Sequence, residues 1–232
     1  MAVTYLDKIL DRHREMAAAD TRPIDQLIDE ATAMPAVRGF RSALAGTAQL
    51  GVIAEIKRRS PSKGDLNIGL DPAEWAKLYE AGGASCLSVL TDVESFGGSV
   101  ADLQAARNAC TLPVIRKDFT VSERDVLDAR LMGADCVLLI AAALNPVELA
   151  GFHALATQIG LDVLVEIHDE AELEHALKAE ATLVGVNQRD LVTFQIDHER
   201  AIRMGGVIPQ HAIKVAESGG RGGDDARMRR HP

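Results

Sequence analysis

Seven short runs of aliphatic and β-branched residues recur along the chain at fairly even spacing. They are "GVIAEIK" (51–57), "ASCLSVL" (84–90), "LPVIRKD" (112–118), "ADCVLLI" (134–140), "LDVLVEI" (161–167), "ATLVGVN" (181–187) and "HAIKVAE" (211–217). Most are apolar throughout, the pattern of strands covered on both faces. Helical periodicity fills the intervals. "DPAEWAKLYEAGG" has Pro72 in its first turn and glycines at its end, while "SVADLQAARNA" and "SERDVLDARLMGA" open on serines suited to N-capping. "NPVELAGFHALATQIG" and "DEAELEHALKAE" follow the same plan. This alternation predicts a parallel sheet covered by helices, and seven units favour a closed (β/α) barrel over an open doubly wound sheet. An open dinucleotide-binding sheet would want a glycine fingerprint after its first strand, and "RRSPSKG" is not one.

Two more helical patterns, "TYLDKILDRHREMAAA" and "PIDQLIDEATAM", precede the first strand. Residues 1–48 are therefore expected to form an N-terminal helical extension and 49–219 the barrel. The tail 220–232, "GRGGDDARMRRHP", has no β-branched residue and no aliphatic larger than Met228, so it cannot supply a core strand. The expected fold is α/β, a (β/α) barrel of the TIM type with seven strands readable in this chain. The edges of the first and seventh strands should then lie unpaired.

A barrel changes the meaning of the first strand. Glu55 and Lys57 are two residues apart and share one face, with Ala54 and Ile56 on the other. In a surface hairpin such a pair would be an ordinary solvated ion pair. In a (β/α) barrel, active sites sit at the C-terminal strand ends, and here those ends are polar. They carry Lys57, Thr91-Asp92, Lys117-Asp118, Glu166, Asn187 and Glu217-Ser218. Several charges converging on one mouth are expensive to desolvate unless they pair or bind a ligand, so Glu55 and Lys57 are expected to point there too. Ser60 and Ser62 flank Pro61 in the loop after the first strand, where hydroxyls and N–H groups suit a phosphate or simply a turn. Trp75, mid-helix, is expected in the core.

Charge and cysteine usage narrow the function classes. With 25 Lys+Arg against 34 Asp+Glu the formal net charge is -9, which argues against a nucleic-acid surface. Cys86, Cys110 and Cys136 form no CxxC pair and read as free thiols of a reducing cytoplasm. No apolar run is long enough to span a membrane, and the charged start is no signal peptide. The seven histidines form no HExxH motif or ligand cluster, so His168 is not put forward as a metal ligand. Oligomeric state is not readable.

In order along the chain, "AEIKRRSPSKG", "FGGSVADL", "PVIRKDF", "VEIHDEAEL", "VGVNQRDL" and "VAESG" resemble the successive motifs of indole-3-glycerol phosphate synthase. The resemblance implies a (β/α)8 TIM-barrel with an N-terminal helical extension, no metal or organic cofactor, and a phosphorylated small-molecule substrate; against that pattern the eighth βα unit is missing from this chain, and the tail 220–232 is aberrant and suggests a truncation or altered reading frame. That substrate is 1-(2-carboxyphenylamino)-1-deoxyribulose 5-phosphate, which loses carbon dioxide and water to give indole-3-glycerol phosphate. By resemblance Lys117 is the general acid of ring closure, and Lys57 and Glu166 share substrate placement and the proton transfers of dehydration. Glu55 and Glu217 would hold the lysines and sugar hydroxyls, and Asn187 would hydrogen-bond the substrate. Ser60, with Ser62, Ser218 and Gly219 beside it, would bind the phosphate, and Phe96 and Phe119 would pack against the anthranilate ring. Arg189 would anchor a carboxylate or bridge loops. Three other readings stand beside this one: a sister barrel such as phosphoribosylanthranilate isomerase, which would lack the lysine pair; a Schiff-base aldolase using a strand-end lysine; and a catalytically impaired remnant of the barrel.

Overall fold

A computed structural model of the chain describes residues 4–47 and 50–219. Its first helices are α1 (Tyr5–Ala19), α2 (Ile24–Ala33) and the short α3 (Phe40–Ala45). Thr4 and Asp7 close a capping box on α1, each side chain taking up the other's backbone N–H. Seven strands follow: β1 (Ile53–Ile56), β2 (Cys86–Leu90), β3 (Val114–Lys117), β4 (Cys136–Ile140), β5 (Asp162–Ile167), β6 (Leu183–Asn187) and β7 (Ile213–Glu217). They form one parallel sheet in chain order, β1 through β7. The intervening helices are α4 (Pro72–Ala81), α5 (Val93–Phe96), α6 (Val100–Ala109), α7 (Glu123–Leu131), α8 (Pro146–Gln158), α9 (Glu170–Lys178) and α10 (Arg200–Val207).

The N-caps are those the sequence marks. Ser99 and Ser122 accept the third backbone N–H of α6 and α7, and Asn145 forms a capping box with Glu148 ahead of Pro146. Each strand begins one or two residues later than its apolar run, because the first residues of the run are spent in the turn from the preceding helix. α3, α5 and α10 carry no strong sequence signal; the first two are too short, and α10 contains Gly205-Gly206.

Strand alternation sorts the core into two layers. Val137, Leu139, Val163, Val165, Val184 and Val186 pack outward against the helices. Cys86, Ile115, Cys136, Leu138, Ile140, Leu164 and Leu183 pack inward, where Phe40 joins them from α3. Buried apolar surface of this kind stabilises by roughly 25 cal/mol per Å². Trp75 is only half-buried, at the rim of the outer layer, with its ring 5.5 Å from Tyr79. A mid-helix aromatic here covers the core instead of entering it.

Among the described residues β1 and β7 each pair on one side only, leaving a seam between them. The central strands β2, β4 and β6 are buried along their whole length, whereas every residue of β7 is at least partly accessible and Val52, just before β1, is 48% exposed. The expectation for the tail falls on residues 220–232, outside the described residues.

Candidate active site

Inward-facing positions at the top of the strands meet at the mouth of the curled sheet. Lys117 extends the inward series of β3 after Ile115, Glu166 that of β5 after Leu164, and Asn187 that of β6 after Leu183 and Gly185. Glu217 follows Ile213 and Val215 on β7, and register sets it beside Asn187. Glu55 and Lys57 follow Ile53 on β1. Ala54 and Ile56 of the same strand are buried on the helix side, so the accessible Glu55 faces the cavity. All six line one cavity of about 1220 Å³, which runs from the mouth down the β1–β7 seam.

Lys117 Nζ lies 2.9 Å from Glu166 Oε2 and 3.0 Å from Glu217 Oε2. Asn187 Nδ2 donates to Glu166 Oε1 at 2.9 Å, and Lys57 is ion-paired with Glu55. Burial works against the charged form of Lys117, but Glu166, Glu217 and Glu55 more than reverse that and hold the ammonium charged. Burial likewise works against a charged Glu166, and Lys117 with Asn187 outweighs it, leaving the carboxyl below its ordinary range. Glu217 is the odd member. Burial and the charge of Glu166 outweigh the attraction of Lys117 and push it up to about 7. Glu166 and Glu217 thus share the Lys117 ammonium unequally, one held ionised and the other pushed toward its protonated form.

Gly185 makes the arrangement possible. A Cβ there would fall well inside 3.0 Å of Glu217 Oε1 and 3.2 Å from its Cδ. Among the described residues Glu217 Oε1 itself is buried without a hydrogen-bond partner.

The remaining predicted residues surround the same cavity. Ser60, Pro61 and Ser62 line it from the β1 loop, where Arg59–Ser60 pairs with Gly64–Asp65 in a two-rung hairpin. Ser218 and Gly219 line it beyond β7, and both have left-handed backbone, φ 61° and 72°. A Cβ on Gly219 would also come within 2.7 Å of Ile196 Cγ2, so this turn requires glycine. Phe96 and Phe119 face the cavity with ring centroids 6.4 Å apart. Arg189 lines the wall, but its Nη1 donates to Phe194 O at 3.1 Å, so the side chain braces its own loop.

Thr91, Asp92 and Asp118 do not join the lysine cluster. Thr91 and Asp118 have the outward parity of β2 and β3, and the Thr91 hydroxyl donates to Asp118, which Arg116 Nη2 also contacts at 3.3 Å. His13 of α1 reaches Asp92 Oδ2 at 3.0 Å and Asp118 Oδ1 at 3.7 Å, and Arg12 is paired with Asp92 and Glu94. These acids strap the N-terminal extension to the barrel. His13 also packs on Phe119, centroids 5.6 Å apart, so the strap backs one wall of the cavity. The sequence signal was present: His13 lies four residues after buried Ile9, on the apolar face of α1. His168, beyond β5, was the second omission; its Nε2 lies 3.8 Å from Glu166 Oε1.

Among the described residues no helix is long and apolar enough to cross a membrane. Solved structures share the fold, two of them as follows. The chain matches a 3-dehydroquinate dehydratase from Enterococcus faecalis with TM-score 0.55 and 14% identity, over 84% of this chain and 88% of that one. It matches KGPDC from Streptococcus mutans, solved as a complex, with TM-score 0.53 and 12% identity, over 73% and 78% of the two chains. Identities this low carry the architecture and nothing about chemistry. The chemistry comes from the family model described as indole-3-glycerol phosphate synthase, which matches residues 6–231 and so extends past Gly219, where the recognisable motifs stop. With that match running over nearly the whole length, and the motif residues gathered at one mouth, the chain belongs to the indole-3-glycerol phosphate synthase family of decarboxylating, phosphate-substrate lyases of tryptophan biosynthesis.

Proposed function

We propose that Lys117 is the general acid that closes the indole ring of 1-(2-carboxyphenylamino)-1-deoxyribulose 5-phosphate. The observation that carries this is Lys117 Nζ held between Glu166 and Glu217 in the cavity. As the carboxylate-bearing ring carbon attacks the ketose carbonyl, a C–C bond forms and the carbonyl oxygen takes a proton from Nζ. Carbon dioxide leaves with its electron pair returned to the ring. The new hydroxyl then leaves as water, with Lys57 and Glu166 sharing the proton transfers, and positioned acids and bases of this kind typically contribute about 10²–10⁴-fold each. Glu55 and Glu217 orient the lysines, and Asn187 fixes Glu166. Ser60, Ser62, Ser218 and Gly219 hold the phosphate with hydroxyls and backbone N–H groups, and Phe96 and Phe119 pack on the aromatic ring.

A Schiff-base mechanism is disfavoured by the same carboxylates. An amine nucleophile must lose its proton, and these neighbours hold the Lys117 proton in place. The free, buried cysteines support a cytoplasmic setting. On this reading the chain divides into an N-terminal extension, 1–48, a barrel body, 49–219, and a tail, 220–232.

The test is formation of indole-3-glycerol phosphate by the purified chain, followed by fluorescence. Lys117→Met is expected to lower kcat by at least about a hundredfold, with KM changed far less because phosphate and ring contacts remain. Near-normal kcat in that variant would remove Lys117 from the role, and a product trapped by borohydride would replace the mechanism with the aldolase one.

A further inference from the structure

We infer that His168, fixed by Glu172, is a positioning residue that supplies Glu166 with a second cation when Lys117 gives up its own. The inference rests on the reading of Lys117 as the acid.

The ring is anchored from one side. Its Nδ1 lies 3.1 Å from Glu172 Oε2, and the same oxygen accepts the His168 backbone N–H at 2.7 Å. A carboxylate oxygen only accepts, so Nδ1 carries the hydrogen. That leaves Nε2, which is buried, has no hydrogen-bond partner among the described residues, and sits 3.8 Å from Glu166 Oε1. A bare Nε2 lone pair would face a buried carboxylate 3.8 Å away. A protonated Nε2 turns the same contact into an attraction.

The groups facing the ring are Glu166 from β5, Glu172 from α9 and Arg200 from α10. Burial and Arg200 favour the neutral ring, but Glu172 and Glu166 prevail and raise its proton affinity. Around Glu166 itself stand Lys117 from β3, Asn187 from β6 and Glu217 from β7. Before ring closure the Lys117 ammonium serves both Glu166 and Glu217. In the transfer an N–H bond at Nζ breaks and an O–H bond forms on the substrate, so Lys117 becomes a neutral amine. Glu166 then keeps only the Asn187 N–H and the imidazolium. Without the latter, a buried carboxylate loses its cation at the moment the reaction needs it charged.

The primary measurement is an NMR titration of the His168 ring in the full chain. The ring is expected to titrate above the ordinary value of about 6.5, and Glu172→Gln and Glu166→Gln are each expected to lower it. A ring titrating at or below that value, or unmoved by both substitutions, would overturn the inference. The second measurement is the pH profile of kcat/KM. Losing an opposite charge close by should raise the Glu166 pKa, so His168→Gln is expected to move the acid limb up by about one unit, the low end of such effects. Glu172→Gln should move it the same way by less. A merely structural role would scale the profile down without moving the limb, and that result counts against the inference. If His168→Gln does not fold, Glu172→Gln and the wild-type titration decide. Failure of the functional reading looks different: Lys117→Met would keep its activity while the His168 titration stayed as expected.

Discussion

Replacing Gly185 by alanine perturbs the lysine cluster without touching a charged group. Gly185 lies on β6, opposite Glu166 of β5 and Val215 of β7. Its backbone is not left-handed, so alanine fits the strand and by itself would stabilise by about 0.4–1 kcal/mol. The added Cβ, however, meets Glu217 Oε1 well inside 3.0 Å and Glu217 Cδ and Leu164 Cδ1 at 3.2 and 3.3 Å. Leucine and Cδ can yield a few tenths of an ångström. The oxygen must move by about 1 Å, and displacement on that scale costs about 10²-fold in rate. The 3.0 Å contact with Lys117 goes with it, leaving Glu166 as the carboxylate hydrogen-bonded to Nζ among the described residues. Converted, that loss is about 2.7 kcal/mol of barrier. Steady-state fluorescence assays should therefore show kcat down about a hundredfold, with the melting temperature within a few degrees of the parent's. KM should change little, because the proposed phosphate and ring contacts lie on other elements. The mechanism of the effect has its own control: in a Glu217→Ala background, Gly185→Ala should cost almost nothing further, since its target is gone. Wild-type kcat in Gly185→Ala, or full additivity with Glu217→Ala, would refute the reasoning.

Other perturbations follow from the same geometry. Glu217 binds a proton in the folded protein up to about pH 7, above the range where an unfolded glutamate lets it go, so its contribution to stability is present at low pH and lost as pH rises toward 7. Chemical denaturation should show this as a decline on the order of 1–2 kcal/mol between about pH 5 and 7 that Glu217→Gln lacks; a parent and variant with parallel slopes would contradict it. His13→Ala leaves Asp92 short of one buried partner and should lower stability by about 1–3 kcal/mol, while raising KM through Phe119 more than it lowers kcat; unchanged melting would mean the strap is idle. Backbone amides of β1 and β7, which have one partner each among the described residues, should exchange with solvent faster than those of β4, and equal protection would show the seam to be covered.

Much of this protein was readable from local pattern. Strand alternation has a period of two wherever a strand lies, so the inward series Ile115-Lys117, Leu164-Glu166 and Leu183-Asn187 could be followed to the mouth without knowing the sheet order. N-caps are equally local: Ser99, Ser122, Asn145 and Asp169 bond N–H groups within three residues of themselves. Lys57, Lys117, Glu166 and Glu217 gathered in one cavity because parallel strands all point their C-terminal ends the same way.

What the tertiary structure alone decided depends on contacts far apart in sequence. Thr91, Asp92 and Asp118 look like further members of the mouth, yet Asp92 binds His13 and Arg12, Asp118 faces His13 and Thr91 donates to Asp118; only the docking of α1 brings His13 and Arg12, 79 and 80 positions from Asp92 in sequence, within bonding distance. The space Gly185 leaves for Glu217, the brace from Arg189 to Phe194 and the approach of His168 to Glu166 are matters of ångströms set by register and loop path. Residue type announces that a side chain can carry charge. Whether that charge faces substrate, a strap or another charge is settled by packing, because burial and partner distance fix its energy and neither is a property of the linear chain.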